Sequence, residues 1–476
     1  MLDFSNAPRG LNPILTADSY KASHFNQYPA GATRLSSYIE PRGGDFDLAV
    51  FFGLQAFIKA YLLTPITKAD VDYAEELVTG HGEPFYREGW DRVLNEFGGY
   101  LPITIDAVPE GTVMGLRNVQ VQVTCEPGFV WLTSYIETAL LRAVWYPSTV
   151  ASLSRKMKGF IYEGLKLTSD DPEGQLPFKL HDFGARGAAS SEAAMLGGMG
   201  HLVNFMGTDT MEAVWGARRF YGEPMAGYSI PATEHSTMTS WTRGGEIDAY
   251  RNLLTQYPTG LIACVSDSYD IFNAVKNIWG GELRDMVMAR DGTLVIRPDS
   301  GNPTVMPLDV IEMAMEKFGF TVNSKGFRVL PSQVRVIQGD GMDEKSIPTL
   351  IANAYERGIS VDNFAMGMGG GLLQKVNRDT MKYAMKANAI EIDGKWVDVY
   401  KDPITDQGKQ SKRGRLALIE RADAKGPQDR FETLRLDDML YPMALDPRCN
   451  RLRTVFKNGE LLIDESLSTI RERAKL

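Results

Sequence analysis

The middle of the chain repeats one pattern, and this repeat constrains the fold more than any other feature. Between about residues 178 and 371, short β-prone runs end in polar loops rich in Gly, Asp or Ser, and most are followed by helical spacing. Strand, loop and helix repeated at this scale predict an α/β fold with a parallel sheet closed, or nearly closed, into a barrel. Its loops would converge on one site. The seven runs are FKLHDFGARG, HLVNFMGTDT, GYSIPATEHS, LIACVSDSYD, LVIRPDSG, VRVIQGDG and DNFAMGMGGG.

The two flanking parts of the chain alternate with period two instead. ITIDAVP and VQVQVTC precede the repeat, while AIEIDGKWVDVY and LRTVFKNGELL follow it, with Asp393-Gly394 and Asn458-Gly459 at hairpin positions. We therefore expect two domains. Residues 1–150 and 385–476 would form an α+β domain with an antiparallel sheet, and residues 151–384 would form the barrel-like domain.

Three other segments lead to more local expectations. Helical spacing runs from about Val130 to Leu167, with a predicted break at Tyr146-Pro147. TADSYKASHFNQYP and SSYIEPRGG, within residues 16–44, are polar, aromatic and interrupted by turn formers, which favours a surface or a site over a core. KDPITDQGKQSKRGR, at 401–415, indicates a mobile loop, although a solvated linker is the commoner explanation of such a charge run.

Composition excludes several classes of protein. A formal net charge of −9 argues against a nucleic-acid or anionic-membrane partner, since no positive field would attract a polyanion. The three cysteines, Cys125, Cys264 and Cys449, are far apart and suggest neither disulfides nor a zinc site. The longest apolar block, Val50 to Leu63, is too short to span a bilayer and contains Lys59, and MLDFSNAPRG lacks a signal pattern. We expect a cytoplasmic protein.

The stretch HDFGARG, from His181 to Gly187, combines an aromatic face, a guanidinium, a carboxylate and an imidazole. Gly184 and Gly187 would let the backbone approach a ligand, and a helix start just beyond would present N–H groups to an anion. These features favour a site for an aromatic ring beside a phosphate. The alternative is a strand ending in a Gly turn, with Phe183 in the core and Arg186 paired to a surface acid.

Three more loops carry a carboxylate directly after a predicted strand. Asp267, Asp299 and Asp340 could bind Mg²⁺ through oxygens and water or hold ribose hydroxyls, although single Asp residues here more often cap the next helix. The glycines Gly369–Gly371 fit a backbone nest for a phosphate but match no standard phosphate-loop spacing. By itself, His235 is best explained as a core or helix-start histidine.

Taken together, the motifs carry a specific resemblance. From about Leu15 to the C-terminus the chain resembles the nicotinamide phosphoribosyltransferase family, within the type II phosphoribosyltransferases. The resemblance implies an irregular α/β barrel with a second α+β domain built from both chain termini. It also implies transfer of phosphoribose from 5-phosphoribosyl-1-pyrophosphate to nicotinamide with Mg²⁺, stimulation by ATP, and a homodimer with active sites at the interface. The motifs are TADSYKASH, KLHDFGARG, HLVNFMGTDT, GYSIPATEHST, CVSDSYDI, IRPDSGNP, VIQGDG, GGGLLQKVNRD and FKNG.

The same resemblance implies roles for individual residues. Phe183 and Tyr20 would sandwich the pyridine ring, with Tyr20 supplied by the other subunit. Asp209 would face the carboxamide and favour nicotinamide over nicotinate, since a carboxylate accepts from an amide and repels another carboxylate. His235 would be phosphorylated by ATP, and it would be catalytic together with Arg297 and Asp299. The other implied residues are Asp18, Arg186, Gly339, Asp340, Gly370 and Arg378 for substrate, Arg42, Arg186, His235, Arg297, Lys386 and Lys401 for phosphate or diphosphate, and Asp267 with Asp299 for the metal, partly through water.

Three alternatives stay open. A nicotinate-specific relative differs only in substrate, a barrel glycosidase would need two carboxylates facing one bond, and a protein of this fold could bind without catalysis. Met366 and Met368 stand where the family usually has Phe and Ser. Ala263 replaces a serine that is common near the carboxamide, and this weakens the inference about amide binding.

Overall fold

The structure, a computed structural model, describes residues 12–405, 409–439, 446 and 448–476. Within these residues the strands are numbered in chain order: β1 Ala32–Glu40, β2 Leu48–Val50, β3 Ile103–Ala107, β4 Val113–Gly115, β5 Val121–Cys125, β6 Leu180–Asp182, β7 Gly207–Thr208, β8 Thr259–Val265, β9 Asp291–Arg297, β10 Thr321–Val322, β11 Arg328–Val329, β12 Val334–Gln338, β13 Phe364–Met368, β14 Ala384–Ile392, β15 Lys395–Asp398, β16 Leu416–Glu420, β17 Phe431–Arg435, β18 Arg453–Lys457 and β19 Glu460–Leu461. The α-helices of five or more residues are Lys68–Gly80, Arg87–Phe97, Glu137–Thr168, Ser191–Leu202, Met211–Tyr221, His235–Thr239, Glu246–Gln256, Arg284–Met288, Met306–Phe318, Ser346–Glu356 and Leu467–Arg473.

The chain divides into two compact units. The terminal unit contains the described residues up to Ser152, the short segment Arg219–Glu223, and Asn377–Lys475. The central unit contains Leu153–Arg218 and Pro224–Val376. The repeat of strands and polar loops therefore lies in the central unit.

The central unit is built on a parallel six-stranded sheet of order β7-β6-β13-β12-β9-β8. The third of the seven predicted runs, GYSIPATEHS, is not a strand. Instead, Tyr228 bridges Gly207 on one outer strand and Ala232 bridges Ala263 on the other, so this segment closes the ring. Pro231 lies between the two bridges and has no N–H to donate, which prevents a continuous ladder. The prediction of an irregular α/β barrel is confirmed, with six strands rather than seven.

Because the six strands are parallel, their carboxyl ends lie at one end of the barrel. Their interior positions are apolar and buried: Leu294, Val334 and Val336 are 0 % exposed. Helices follow several strands, as in the stretch from β9 to the helix Met306–Phe318. The polar loops predicted to converge are thus brought to the same end of the sheet.

The terminal unit is built on a seven-stranded sheet of order β15-β14-β1-β5-β3-β18-β19, in which every adjacent pair is antiparallel. Three strands come from before residue 126 and four from after residue 383. The two hairpins predicted at Asp393-Gly394 and Asn458-Gly459 are present. Asp393 and Gly394 have φ of 48° and 75°, and Asn458 and Gly459 have 48° and 92°. Positive φ at both turn residues is the signature of a type I′ turn.

Strand β1 corrects the expectation that SSYIEPRGG covers a surface or lines a site. Ser36 to Glu40 are buried, and β1 pairs with β14 on one side and β5 on the other. Its polar residues are accommodated by partners inside the unit: Tyr38 OH donates to Glu40 Oε1, and Lys412 Nζ donates to Glu40 Oε2 at 2.5 Å. Because its polar groups have hydrogen-bond partners, this polar sequence can form a buried strand in the middle of the sheet.

The predicted helix break at Tyr146-Pro147 is wrong, since the helix Glu137–Thr168 continues through Pro147. The proline ring packs closely on the backbone of Gly53, where an added Cβ would lie 2.3 Å from Pro147 Cγ. Beside it, Ser148 Oγ accepts from the N–H of Phe52 at 3.0 Å and donates to its carbonyl at 3.0 Å. This packing offsets the roughly 3 kcal/mol that an interior proline costs a helix.

The predicted mobile loop at 401–415 is only partly described, because 406–408 lie outside the described residues. On either side of them the chain is tied down. Lys401 N donates to Ser411 Oγ at 2.8 Å, and Lys412 N donates to Tyr38 OH at 2.8 Å. Over the parts of the chain that are described, no helix has the length and apolar character needed to cross a membrane.

Candidate active site

A cavity of about 1260 Å³ lies in the central unit. It is lined by the strands, by the loops at their carboxyl ends, and by residues that precede the strands, such as Phe178, Ser332 and Asp362. The lining includes most of the residues that the sequence predicted for the site: Phe183, Arg186, Asp209, His235, Arg297, Asp299, Gly339, Asp340 and Gly370. The barrel therefore gathers these residues, which span almost 200 positions of sequence, around one cavity.

The ring of Phe183 lies against two glycines. A Cβ added to Gly367 would meet the ring at 2.0 Å, and one added to Gly339 would meet it at 3.4 Å. The loop itself is fixed to β13, since Phe183 N donates to Met368 O at 3.0 Å. Phe183 also packs against an apolar wall, so this part of the cavity is a slot suited to a flat ring. The wall consists of Ala263, Val295 and Ile337, with Ile230 and Ala365.

The carboxylate of Asp209 is exposed in the same cavity. Its Oδ1 accepts a hydrogen bond from Ser229 Oγ at 2.5 Å, and its backbone N–H donates to Asp182 O at 2.9 Å. Asp209 therefore presents a fixed, accepting group to whatever enters. Ser229 was missed from the sequence, because a serine in a loop is too common to signal a role.

Arg297 and Asp299 form a bidentate pair after β9. Arg297 Nε lies 3.1 Å from Asp299 Oδ1, and Nη2 lies 2.9 Å from Oδ2. His235 is the first residue of the helix His235–Thr239, and its imidazole is half-exposed rather than part of the core. His235 Nε2 lies 3.1 Å from Asp267 Oδ1, while Nδ1 lies 4.0 Å from Asp299 Oδ2. One guanidinium, one imidazole and two carboxylates thus form a single polar network.

Asp267, Asp299 and Asp340 do not cap the helices that follow them. In each loop a side chain three residues later accepts from backbone N–H groups instead, and Asp270 is the N-cap of the helical turn that follows it. Asp270 Oδ1 accepts from Phe272 N and Asn273 N, Asn302 Oδ1 accepts from Thr304 N, and Asp343 Oδ1 accepts from Lys345 N and Ser346 N. The structure therefore favours the site interpretation of these three aspartates over the capping one.

The surroundings of Arg186 contradict the alternative in which this side chain pairs with a surface acid. Its side chain is exposed, and no described residue forms an ion pair or a side-chain hydrogen bond with it. Gly187 approaches the glycine run closely, since a Cβ on it would lie 3.3 Å from Gly370 Cα. Gly370 begins the helical turn Gly370–Leu373, so the turn itself does not use its N–H group. A free guanidinium and a free N–H can both bind an anion.

Asp267 and Asp299, the predicted metal ligands, are occupied by hydrogen-bond donors. Asp267 Oδ2 accepts from Ser300 Oγ at 2.6 Å and from Asp299 N at 3.2 Å, and Oδ1 faces His235. Throughout the described ranges no group of three or more His, Cys, Asp or Glu side chains could hold a metal ion. These residues do not fit a magnesium ion held by protein side chains alone.

Asp182 lies buried behind the cavity surface, whereas His181 is one of the residues that line the cavity. His181 Nε2 donates to Phe178 O at 3.0 Å, and burial lowers the pKa of the imidazole. Burial raises the pKa of Asp182 to about 6, and the carboxylate accepts from Gly184 N at 2.8 Å. The Asp182 side chain is held within the protein, while the His181 ring is fixed at the cavity wall by its hydrogen bond to Phe178.

The remaining predicted residues lie in the terminal unit. Thr138 Oγ1 donates to Asp18 Oδ2 at 2.5 Å, which anchors the segment that carries Tyr20. The ring of Tyr20 is 56 % exposed, with Lys21 Nζ 5.3 Å from its centroid. Lys21 is itself held by Glu137 at 2.7 Å. Tyr20 is therefore an exposed aromatic on a well-anchored segment.

Three predicted phosphate-binding cations, Arg42, Lys386 and Lys401, are neighbours in the terminal unit, together with Arg378, which was predicted to bind substrate. Burial lowers the pKa of Lys386, and the positive charges of Arg42, Lys401 and Arg378 lower it further, although Glu137 opposes them. Arg42 Nε pairs with Glu40 Oε1 at 3.2 Å, whereas its Nη2 is buried without a hydrogen-bond partner among the described residues. A cluster with a buried unsatisfied donor is suited to an anion.

Comparison of the sequence with known families gives two matches. Residues 178–460 match the model of the nicotinate phosphoribosyltransferase (NAPRTase) family, and residues 12–105 match that of the nicotinamide phosphoribosyltransferase N-terminal domain. A nicotinamide phosphoribosyltransferase of Xanthomonas campestris pv. campestris (strain 8004) is 50% identical over 470 residues, which cover 97% of this chain and 98% of the relative. One of Acinetobacter baylyi (strain ATCC 33305 / BD413 / ADP1) is 30% identical and covers 97% of each chain.

Solved structures of low sequence identity share the fold. Nicotinate-nucleotide pyrophosphorylase from Pyrococcus furiosus superposes with a TM-score of 0.62 at 15% identity, covering 100% of this chain and 97% of that one. Human nicotinic acid phosphoribosyltransferase superposes with a TM-score of 0.55 at 17% identity, covering 96% and 92%. At such identities the likeness concerns the fold alone.

Proposed function

Because the chain belongs to the nicotinate phosphoribosyltransferase family, we propose that it transfers the phosphoribosyl group of 5-phosphoribosyl-1-pyrophosphate to nicotinamide, giving nicotinamide mononucleotide and pyrophosphate in NAD salvage. The observation that carries this proposal is the cavity of the central unit. It holds an aromatic slot at Phe183, a fixed carboxylate at Asp209 and a paired guanidinium at Arg297. Relatives named for nicotinamide at 50% and 30% identity support the same substrate.

Nicotinamide is favoured over nicotinate by the charge in the cavity. Asp209 accepts an amide N–H, whereas it would repel the carboxylate of nicotinate. The wall around Ala263 is apolar, so amide recognition falls to Asp209, held by Ser229 at 2.5 Å. Nicotinate remains the second candidate substrate, because the family model that matches residues 178–460 is named for it.

The chemistry needs positioning and charge stabilisation more than acid–base catalysis. As pyrophosphate departs, the ribose gains oxocarbenium character, and the ring nitrogen of nicotinamide attacks without carrying a proton. Phe183 would orient the ring, while Arg297 and Arg186 would stabilise the negative charge of the leaving group. Asp299, Gly339, Asp340 and Gly370 would hold the ribose and its 5-phosphate.

Mg²⁺ and ATP enter the proposal in different ways. We assign Mg²⁺ to the substrate, as the counter-ion of the diphosphate, and Asp299 would meet it partly through water. ATP would phosphorylate His235, which is half-exposed and backed by Asp267. Arg42, Arg378, Lys386 and Lys401 would bind phosphate groups, as the buried unsatisfied donor of Arg42 suggests.

We also propose a homodimer in which Tyr20 of one subunit reaches the ring held by Phe183 of the other. The exposed ring of Tyr20 supports an external partner for this side chain. Mixing Tyr20→Ala and Asp209→Ala chains tests the idea, because each mixed dimer would regain one intact site. Recovery of about a quarter of wild-type activity is expected from random pairing, and no recovery would contradict shared sites.

One assay tests the function as a whole. Purified protein is incubated with 5-phosphoribosyl-1-pyrophosphate, Mg²⁺ and either nicotinamide or nicotinate, with and without ATP, and mononucleotide is measured by chromatography. We expect a higher kcat/KM for nicotinamide. A higher value for nicotinate would establish the second candidate. Binding of substrates without product would instead support a non-catalytic protein.

Localisation in the cytoplasm is proposed from the free thiols of Cys125, Cys264 and Cys449.

A further inference from the structure

Asp182 is a buried carboxylate that the chemistry above does not use. It ends β6, is 0 % exposed, and stands next to Phe183 in sequence. In the sheet it is paired with Thr208, which directly precedes Asp209. It therefore lies between the residue proposed to stack the ring and the residue proposed to bind the amide.

The carboxylate is hydrogen-bonded toward both neighbours. Oδ1 accepts from Gly184 N at 2.8 Å, which fixes the turn after Phe183. Oδ2 accepts from Thr208 Oγ1 at 3.4 Å. The same Thr208 oxygen accepts from Thr210 N at 3.0 Å, so its own proton is available for Asp182. One side chain thus ties the turn after Phe183 to the residues on both sides of Asp209.

A helix of the central unit approaches this carboxylate closely. The helix Ser191–Leu202 packs on it through Gly198, where an added Cβ would lie 3.0 Å from Asp182 Oδ2. An ionised carboxylate accepts on both oxygens, which matches the two donors that face it. Burial raises its pKa only to about 6, so it is ionised at neutral pH.

We propose that Asp182 is a positioning residue that sets the placement of the Phe183 ring relative to the Asp209 carboxylate. The idea rests on the proposed function, since it concerns how nicotinamide is held. Asp182 acts on the part of the site that is proposed to hold the pyridine ring. Its loss should therefore affect the binding of nicotinamide and leave the binding of 5-phosphoribosyl-1-pyrophosphate largely intact. A purely structural role would weaken both.

The test compares four variants with the wild type by steady-state kinetics and thermal melting. Asp182→Ala should raise KM for nicotinamide about tenfold or more and lower the nicotinamide-to-nicotinate ratio of kcat/KM, with KM for the second substrate within about twofold. Asp182→Asn should restore most of the affinity, because its amide can accept from Gly184 and donate to Thr208. Thr208→Val should lower the ratio, while Thr259→Val, an exposed strand position of the same barrel, should not.

Two results overturn the proposal: an unchanged KM for nicotinamide in Asp182→Ala, or an equal rise in both KM values. If Asp182→Ala does not fold, the test uses the nicotinamide-to-nicotinate ratio of kcat/KM in Thr208→Val. An unchanged ratio in that variant overturns the proposal. Wild-type turnover is measured first. Its absence contradicts the proposed function, whereas turnover with unaltered variants contradicts only the role of Asp182.

Discussion

The imidazole of His235 faces Asp267 through Nε2 at 3.1 Å and Asp299 through Nδ1 at 4.0 Å. A neutral imidazole that donates from Nε2 to Asp267 keeps its lone pair on Nδ1. Under the proposed function, that nitrogen would be the nucleophile for a phosphoryl group. The reaction of His235 with ATP is the part of the proposed function that this arrangement makes testable.

We therefore expect His235→Ala to abolish the stimulation by ATP. The ratio of transfer rates with and without ATP should fall to about 1, because no other nitrogen in the network can accept the phosphoryl group. Protein labelling from ATP labelled on its γ-phosphate is the direct measurement, with His81→Ala, an exposed histidine of the terminal unit, as control. Equal labelling of wild type and His235→Ala would sink the assignment.

Asp209→Asn should reduce the preference for nicotinamide over nicotinate. The amide side chain no longer repels a carboxylate, so the ratio of kcat/KM for the two substrates should fall by about tenfold or more, equivalent to about 1.4 kcal/mol. Both substrates are assayed side by side. Asp248→Asn, whose carboxylate pairs with Arg251 on an exposed helix face, serves as control. An unaltered ratio in Asp209→Asn contradicts the role given to this carboxylate.

Gly367→Ala should displace the ring of Phe183, since the new methyl group would lie 2.0 Å from it. We expect KM for nicotinamide to rise about tenfold or more as the slot loses its shape. The matched control is Gly244→Ala, because a Cβ at that position meets nothing within 4 Å. Kinetics indistinguishable between the two variants would show that the slot does not bind the ring.

Glu110→Gln should change how stability depends on pH. Burial raises the pKa of Glu110 to about 7, despite hydrogen bonds from Gln55 N at 2.7 Å and Tyr221 OH at 2.9 Å. A carboxyl group whose pKa is raised on folding keeps its proton in the folded state between its usual pKa near 4.5 and 7, so wild-type stability falls as pH rises through that range. Because glutamine cannot ionise, the stability of Glu110→Gln does not decrease with pH for this reason.

The stability of Glu110→Gln relative to wild type should therefore increase between pH 4.5 and 7, by up to about 3 kcal/mol. Urea unfolding at several pH values measures the difference. Glu88→Gln, an exposed acid on the helix Arg87–Phe97, should show no such trend. A constant difference across the range would mean that Glu110 is ionised in the folded protein.

The barrel was largely predictable because its strands are buried runs that end in polar loops, a pattern carried by neighbouring residues. What local pattern cannot show is how distant segments satisfy one another. Pro231 breaks a β-prone run whose neighbours still bridge two strands, and Pro147 stays helical because Gly53 makes room for its ring. In each case packing between segments outweighs the local preference.

In the site, too, residues with a distinctive local pattern were predictable and residues that act through distant partners were not. Phe183, Asp209 and Asp299 stand out as chemically distinctive residues at strand ends. Ser229 and Ser300 do not, because their importance lies in reaching Asp209 and Asp267, 20 and 33 positions away. Even with the resemblance, the sequence could not show that side chains three residues beyond the aspartates bind the backbone N–H groups of these loops.

Strand β1 has its two sheet neighbours at very different distances along the chain. Its partner β5 ends at Cys125, whereas β14 begins at Ala384. During translation, the continuous stretches of the central unit are synthesised before β14. One edge of β1 therefore stays unpaired while about 250 residues, between the end of β5 and the start of β14, are added to the chain. An open edge of this kind is a template for pairing with other chains. Nascent chains stalled before residue 384 should therefore be the form of this protein most dependent on chaperones.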